Sequence, residues 1–188
     1  MNFIKKFINI SYNLINIKEL PKINGKKFNN DCIGFVRFVY CKTGVDIGKL
    51  FQISVSGGGD SLYYGLLKRK LIYTNYPPIP GSFIFFDNTY DSNKNGKLDD
   101  KLTHVGIVVK VDHYNTVHFI HYSGNVVKEG RINLVYPKTY AFRKKDGTLI
   151  IINSFLSREN NFKTISKIQK LSSSLFNSFG YIKVKYNN

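Results

Sequence analysis

Apolar positions recur along this chain at two spacings, and the changes between them mark its elements. Phe3, Phe7, Ile10 and Leu14 fall on one face at helical spacing, which predicts an amphipathic helix within residues 1–17, closed off before Pro21. A polar stretch from Lys22 to Asn30 follows. Asp31 then precedes a largely apolar run, Cys32 to Tyr40, which reads as a second helix with Asp31 as N-cap and Cys32 in the first turn. Between Gly44 and Pro80 the pattern is mixed, with a flexible loop at Gly57-Gly58-Gly59 and a short helix over Leu62 to Leu71. The unbroken run Phe83 to Phe86 predicts a strand buried on both faces. His104 to Val111 and Tyr114 to Tyr122 are rich in β-branched and aromatic residues around a polar break at Asp112-His113, and predict an antiparallel hairpin. Val126-Val127 begins a further strand, and Ile165, Ile168, Leu171 and Leu175 predict a helix over 162–179 packed on the core. The sum is an α+β chain.

Two of these elements carry chemistry. A cysteine in the first turn of a helix sits among unpaired backbone N–H groups and the positive end of the dipole, which favour thiolate over thiol. Gly34 beside it, costly in a helix by up to about 1 kcal/mol, signals close approach of another segment. In the hairpin, a loop centred between Asp112 and His113 sets His104 directly opposite His121 on one face, with His118 on the other. One imidazole then orients the second, and the second serves a cysteine as base.

Four segments in order, DCIGFVRFVY at 31–40, PGSFIFF at 80–86, THVGIVV at 103–109 and FIH at 119–121, resemble the NlpC-type cell-wall peptidases. The resemblance spans roughly residues 25–145. It implies a papain-like α+β fold, with the nucleophile helix packed on a central antiparallel sheet, Tyr140 to Arg143 as the closing strand, Cys32 as nucleophile, His104 as general base and His121 as the residue orienting it. Ile33 stands where the family usually has Ser and Ser82 where it usually has Asp. The approach to the cysteine, Gly25 to Asn29, supplies no tyrosine. The implied activity is thiol-mediated amide cleavage in peptidoglycan stem peptides. Alternatives are another thiol amidase or an acyltransferase, or a non-catalytic calcium-stabilised module that binds anionic polymer.

Composition changes the picture in three places. With 188 residues the chain is long enough for one domain with a sizeable core, divided into an N-terminal helical segment 1–24, a catalytic unit 25–153 and a C-terminal helical extension 154–188. The formal charge of +16 favours polyanionic partners, of which peptidoglycan or another anionic wall polymer fits best. No nucleic-acid-binding motif is visible, no stretch is long enough to span a membrane, and a monomer is expected. The cell envelope or the exterior suits this function, although the N-terminal run lacks a clear signal-peptide pattern. Two cysteines nine residues apart on one helix are too distant to bridge, so Cys32 is read as a free thiol. From Asp91 the chain matches an EF-hand-like loop, with Asp91, Asn93 and Asn95 at positions 1, 3 and 5, Gly96 at the sharp turn, the Lys97 carbonyl at position 7 and Asp99 at position 9. Leu102 replaces the bidentate carboxylate at position 12, so Asp100, Asp87 or water would have to complete a structural Ca²⁺ site; the chemistry itself needs no cofactor.

Overall fold

In the computed structural model, which describes residues 3–53, 58–156 and 166–182, helices cover one face of a six-stranded antiparallel sheet. The chain forms α1 (Phe3–Asn13), α2 (Cys32–Lys42), α3 (Ile47–Leu50), α4 (Gly59–Leu67), β1 (Ile72–Tyr73), β2 (Phe83–Phe86), β3 (His104–Val111), β4 (Val117–Tyr122), β5 (Val127–Ile132), β6 (Ala141–Arg143), β7 (Leu149–Ile151) and β8 (Phe176–Gly180). The sheet runs β1-β8-β2-β3-β4-β5, and β6 and β7 form a separate hairpin. The α+β class, with the cysteine-bearing helix laid on a central antiparallel sheet, is the one expected.

Alternation along the strands divides the core in two. Phe83, Phe85, Val105, Ile107, Ile120 and Tyr122 pack against α2 and its neighbours, whereas Ile84, Phe86, Val108, Phe119 and Phe179 form a second cluster on the far face. The amphipathic N-terminal helix lies on α2, with Phe7 and Leu14 buried and the Phe7 ring 4.8 Å from that of Tyr40 in an edge-on contact. Phe83–Phe86 is buried on both faces, as its unbroken apolar run predicts.

Two expected elements differ. Residues 162–165 lie outside the described part, but in place of a helix over the rest of 162–179 the chain makes one 3₁₀ turn (Ile168–Lys170) and then strand β8. The serine run 172–174 competes poorly for helix, and Phe176 and Phe179 are good strand formers. β8 inserts between β1 and β2, so the C-terminal stretch completes the main sheet. Ala141–Arg143 does not close that sheet either: the turn at Asp146-Gly147 folds it back on Leu149–Ile151 as a local hairpin.

One buried carboxylate ties the new strand to the long loop ahead of β3. Asp87 accepts from the Leu102 N–H at 2.8 Å, from Asn177 Nδ2 on β8 at 3.1 Å and from Lys101 Nζ at 3.1 Å. Replacing it (Asp87→Ala) strands buried donors. We expect a loss of about 2–3 kcal/mol in urea unfolding, and a loss below about 0.5 kcal/mol would show that the loop end is held by other contacts.

Candidate active site

The site begins at the N-terminus of α2. Asp31 caps it, its carboxylate accepting from the Gly34 N–H at 2.7 Å, as the sequence predicts. Gly34 is required for space: a Cβ there would fall 1.9 Å from the carbonyl oxygen of Asn29. The polar loop that ends at Asn30 is pressed onto the first helical turn, and this fixes the direction from which the chain delivers Cys32. Asn30 is fixed in turn, its side-chain oxygen accepting from the Leu20 N–H at 2.8 Å.

Cys32 and Cys41 are both free and half-buried. The Cys32 sulfur accepts from the backbone N–H of Val105 on β3, with the N–H groups of Ile33 and of Cys32 itself also directed at it. All three favour thiolate. Burial opposes them and dominates, with a smaller push in the same direction from the Asp31 carboxylate, so the thiol is driven up to about 11. The helix start alone predicts a lowered value; the structure reverses that expectation because the sulfur lies against the sheet end rather than in open solvent.

His104 and His121 meet directly, with His104 Nε2 2.7 Å from His121 Nδ1 and the rings edge-on at 5.0 Å between centroids. They do so diagonally and not, as expected, face to face. The connection is a five-residue loop, residues 112–116, and at its tip Lys110 pairs with His118 and Val111 with Val117. That register, carried on unbroken, would set His121 opposite Ile107, whose side chain faces α2. A bulge at Val109 moves the pairing to Val108 with Phe119 and Ile107 with Ile120. His121 then falls level with Gly106, two residues from His104 and on the same face. Gly106 leaves room for this, since a Cβ there would stand 3.3 Å from the Cβ of His121 and 3.1 Å from the Ile120 carbonyl oxygen. The pair lies beside Phe86 and Phe119. Burial, then the neighbouring His104, then Lys128, hold His121 well below the ordinary imidazole pKa, so at neutral pH it is uncharged.

Cys32 and His104 line one cleft of about 560 Å³, whose walls include Gly59, Tyr90, Lys101 and Tyr122. The sequence reading did not find these wall residues. Tyr122 is anchored by donating to the Lys18 carbonyl at 2.7 Å. No spacing rule links such residues, because they come from separate loops and strand ends.

The loop proposed for calcium forms part of that wall and is closed by its own hydrogen bonds. Asp91 accepts from the N–H groups of Asn95 and Gly96, the amide groups of Asn93 and Asn95 donate to Asp99, and the Asn95 oxygen accepts from Lys97 N–H. Asp100 accepts from Ser92 and Asn93 N–H. Among the described residues no group of three or more His, Cys, Asp or Glu side chains stands where it could hold a metal ion. His118 points to the opposite face from His121, as expected, and is held between Glu129 at 2.5 Å and Asp112 at 3.0 Å. His113 is a turn residue.

The chain matches no family model and no curated protein sequence. Among solved structures it is similar to a crystal structure described as similar to lipoprotein, NLP/P60 family, from Staphylococcus aureus subsp. aureus Mu50, at 17% identity and a TM-score of 0.44. The match covers 81% of this chain and 42% of that one, so the chain spans about two fifths of the other protein's length. Among the described residues no helix is long and apolar enough to cross a membrane.

Two measurements follow from the electrostatics. In a Cys41→Ser background, alkylation of Cys32 should be slow at pH 7 and climb with a midpoint near 11; a midpoint below the free value of about 8.5 would mean a preformed thiolate. Because His121 binds its proton more weakly folded than unfolded, stability is unaffected at neutral pH. It should fall as pH drops below about 6.5, where unfolded imidazole protonates. Urea midpoints between pH 7 and 5 should therefore slope more steeply in the parent than in His121→Gln, and equal slopes would contradict a buried neutral His121.

Proposed function

We propose that this chain is a cysteine hydrolase that cleaves an amide bond, with peptidoglycan stem peptides as its substrate. The observation that carries this reading is the 2.7 Å hydrogen bond to His121 made by His104, which lines the same cleft as Cys32.

The tautomers follow from that bond. If Nε2 of His104 donates to Nδ1 of His121, the other nitrogen of His104, Nδ1, is the one that takes a proton from the thiol, and His121 carries its own proton on Nε2. A His121 held neutral keeps an acceptor facing His104 as the base becomes imidazolium. The resting thiol is protonated, so the S–H proton moves to His104 as sulfur attacks the carbonyl carbon and the C–N bond opens. His104 returns that proton to the leaving amine. Water, deprotonated by His104, then cleaves the thioester and releases the acid. The Cys32 and Ile33 N–H groups, directed at the sulfur in the resting site, stabilise the developing oxyanion in this mechanism.

On purified muropeptides, followed by release of new amino groups, Cys32→Ala should fall to background. His104→Ala should lose about 10²–10⁴-fold, and His121→Ala should lose less, because it removes the orienting group and leaves the base. Full activity in Cys32→Ala would end this reading.

A further inference from the structure

The tip of the β3–β4 hairpin, past the opposite end of β3 from His104, carries a second concavity, and we propose that it holds an acidic glycan chain. It is a groove of about 480 Å³ at the hairpin tip, walled by Tyr114, Asn115, Tyr136, Thr139 and Phe142. Val135, Tyr136, Tyr140, Leu149 and Phe155 make the 133–155 stretch rich in exposed large apolar side chains. Such an arrangement in a highly charged chain marks a binding surface.

The groove is built rather than incidental. Asn133, fully buried, fixes its floor: its amide donates to the Tyr114 carbonyl at 2.9 Å and its oxygen accepts from the N–H groups of Val135 and Tyr136 at 3.0 Å each. Asn153, also buried, donates to the carbonyls of Tyr136 and Thr139. The edge-on contact of Tyr114 and Phe142 at 5.0 Å joins the hairpin tip to β6.

Charge selects the occupant. Lys138, Arg143, Lys144 and Lys145 are exposed along 133–155, against a single acidic residue, Asp146. Lys144 Nζ stands 5.9 Å from the Tyr114 ring centroid. The exposed Tyr136 ring, the Asn115 side-chain amide, the Thr139 hydroxyl and the Lys144 ammonium match a sugar chain bearing acid groups. A single-stranded nucleic acid fits less well, because bases need successive open ring faces. Here Tyr140 and Phe155 stack on each other at 4.8 Å, and Tyr114 has His113 at 3.8 Å.

Position links the two sites. His104 begins β3 and Tyr114 lies just past its end, so the groove and the cleft are separated by roughly 25 Å, the length of an eight-residue strand. On the reading proposed above, a wall polymer gripped at the groove presents its stem peptides to the cleft at raised local concentration.

The test is cosedimentation of Cys32→Ala protein with purified peptidoglycan sacculi, beside Tyr136→Ala and Lys144→Glu in the same background. Both substitutions are at exposed side chains and should leave the fold intact by circular dichroism. Each should weaken binding at least fivefold, and Lys144→Glu should also flatten the salt dependence. In the Cys32 parent, Tyr136→Ala should leave hydrolysis of soluble muropeptides unchanged and slow release from intact sacculi. Unchanged binding in both variants overturns the groove while leaving the hydrolase reading standing. Binding lost in both, with no muropeptide cleavage by the parent, keeps the groove and removes the hydrolase. Tighter groove-dependent binding of a thymidine 20-mer than of sacculi overturns the glycan assignment.

Discussion

Parity along β3 and β4 governs the candidate site. Side chains alternate across a sheet, so two residues on paired strands share a face or are separated by it, with no intermediate arrangement. The register at the hairpin tip, left unbroken, would put His121 on the α2 side of the sheet and His104 on the other. The extra residue at Val109 changes the parity once, between the tip and the site. Everything that makes the histidines a pair follows from that shift: the diagonal approach, the 2.7 Å hydrogen bond and the shared surroundings beside Phe86 and Phe119. A bulge also lets the strand ends diverge. The β3–β4 pairing stops at Ile107 and Ile120, and the N–H of Val105 is directed at the Cys32 sulfur.

The helix end meets this strand end under a separate constraint. Asp31 satisfies the Gly34 N–H, and Gly34 lets the Asn29 carbonyl lie against the first turn. The loop before Cys32 therefore has one path into the helix. Had a side chain stood at 34, the loop would have to lift and carry Cys32 away from Val105. The capping residue, the glycine and the thiol thus act as one local device. Asp31 stabilises the helix start, yet its carboxylate also opposes thiolate formation, and burial opposes it more.

How far the sequence reached depends on whether a feature is local. The cap at Asp31, the purpose of Gly34, the doubly buried strand 83–86 and the hairpin were all legible, because each is written in neighbouring residues. His104 and His121 were paired correctly although the register was misjudged in two ways. The loop has five residues, and the strand holds a bulge; the two errors together shift the pairing by two, which preserves the face. The helix expected over 162–179 failed for a non-local reason. Helical spacing of Ile168, Leu171 and Leu175 competes with a vacant sheet position beside β2, and filling it buries Phe179. Cleft residues such as Tyr90, Lys101 and Tyr122 were illegible for the same reason, since only the closed fold assembles them.

A thiol raised to about 11 and a His121 held well below the usual imidazole range leave these two groups uncharged at neutral pH. This constrains how a nucleophile can arise there. A preformed Cys32 thiolate would have to be maintained against the burial that raises the thiol, before any substrate arrives. A neutral thiol avoids this, because charge separates only as the sulfur begins to bond to carbon and the oxyanion develops. On the proposed mechanism His121, held neutral, accepts from His104 as positive charge grows there. A His121 held neutral suits the orienting role in that mechanism. A carboxylate in its place would stabilise imidazolium in the resting state as well as during attack, while a neutral imidazole does less to the resting state and still fixes the tautomer. The bulge that brings His121 beside His104 also sets it where burial keeps it neutral, the state the proposed mechanism uses.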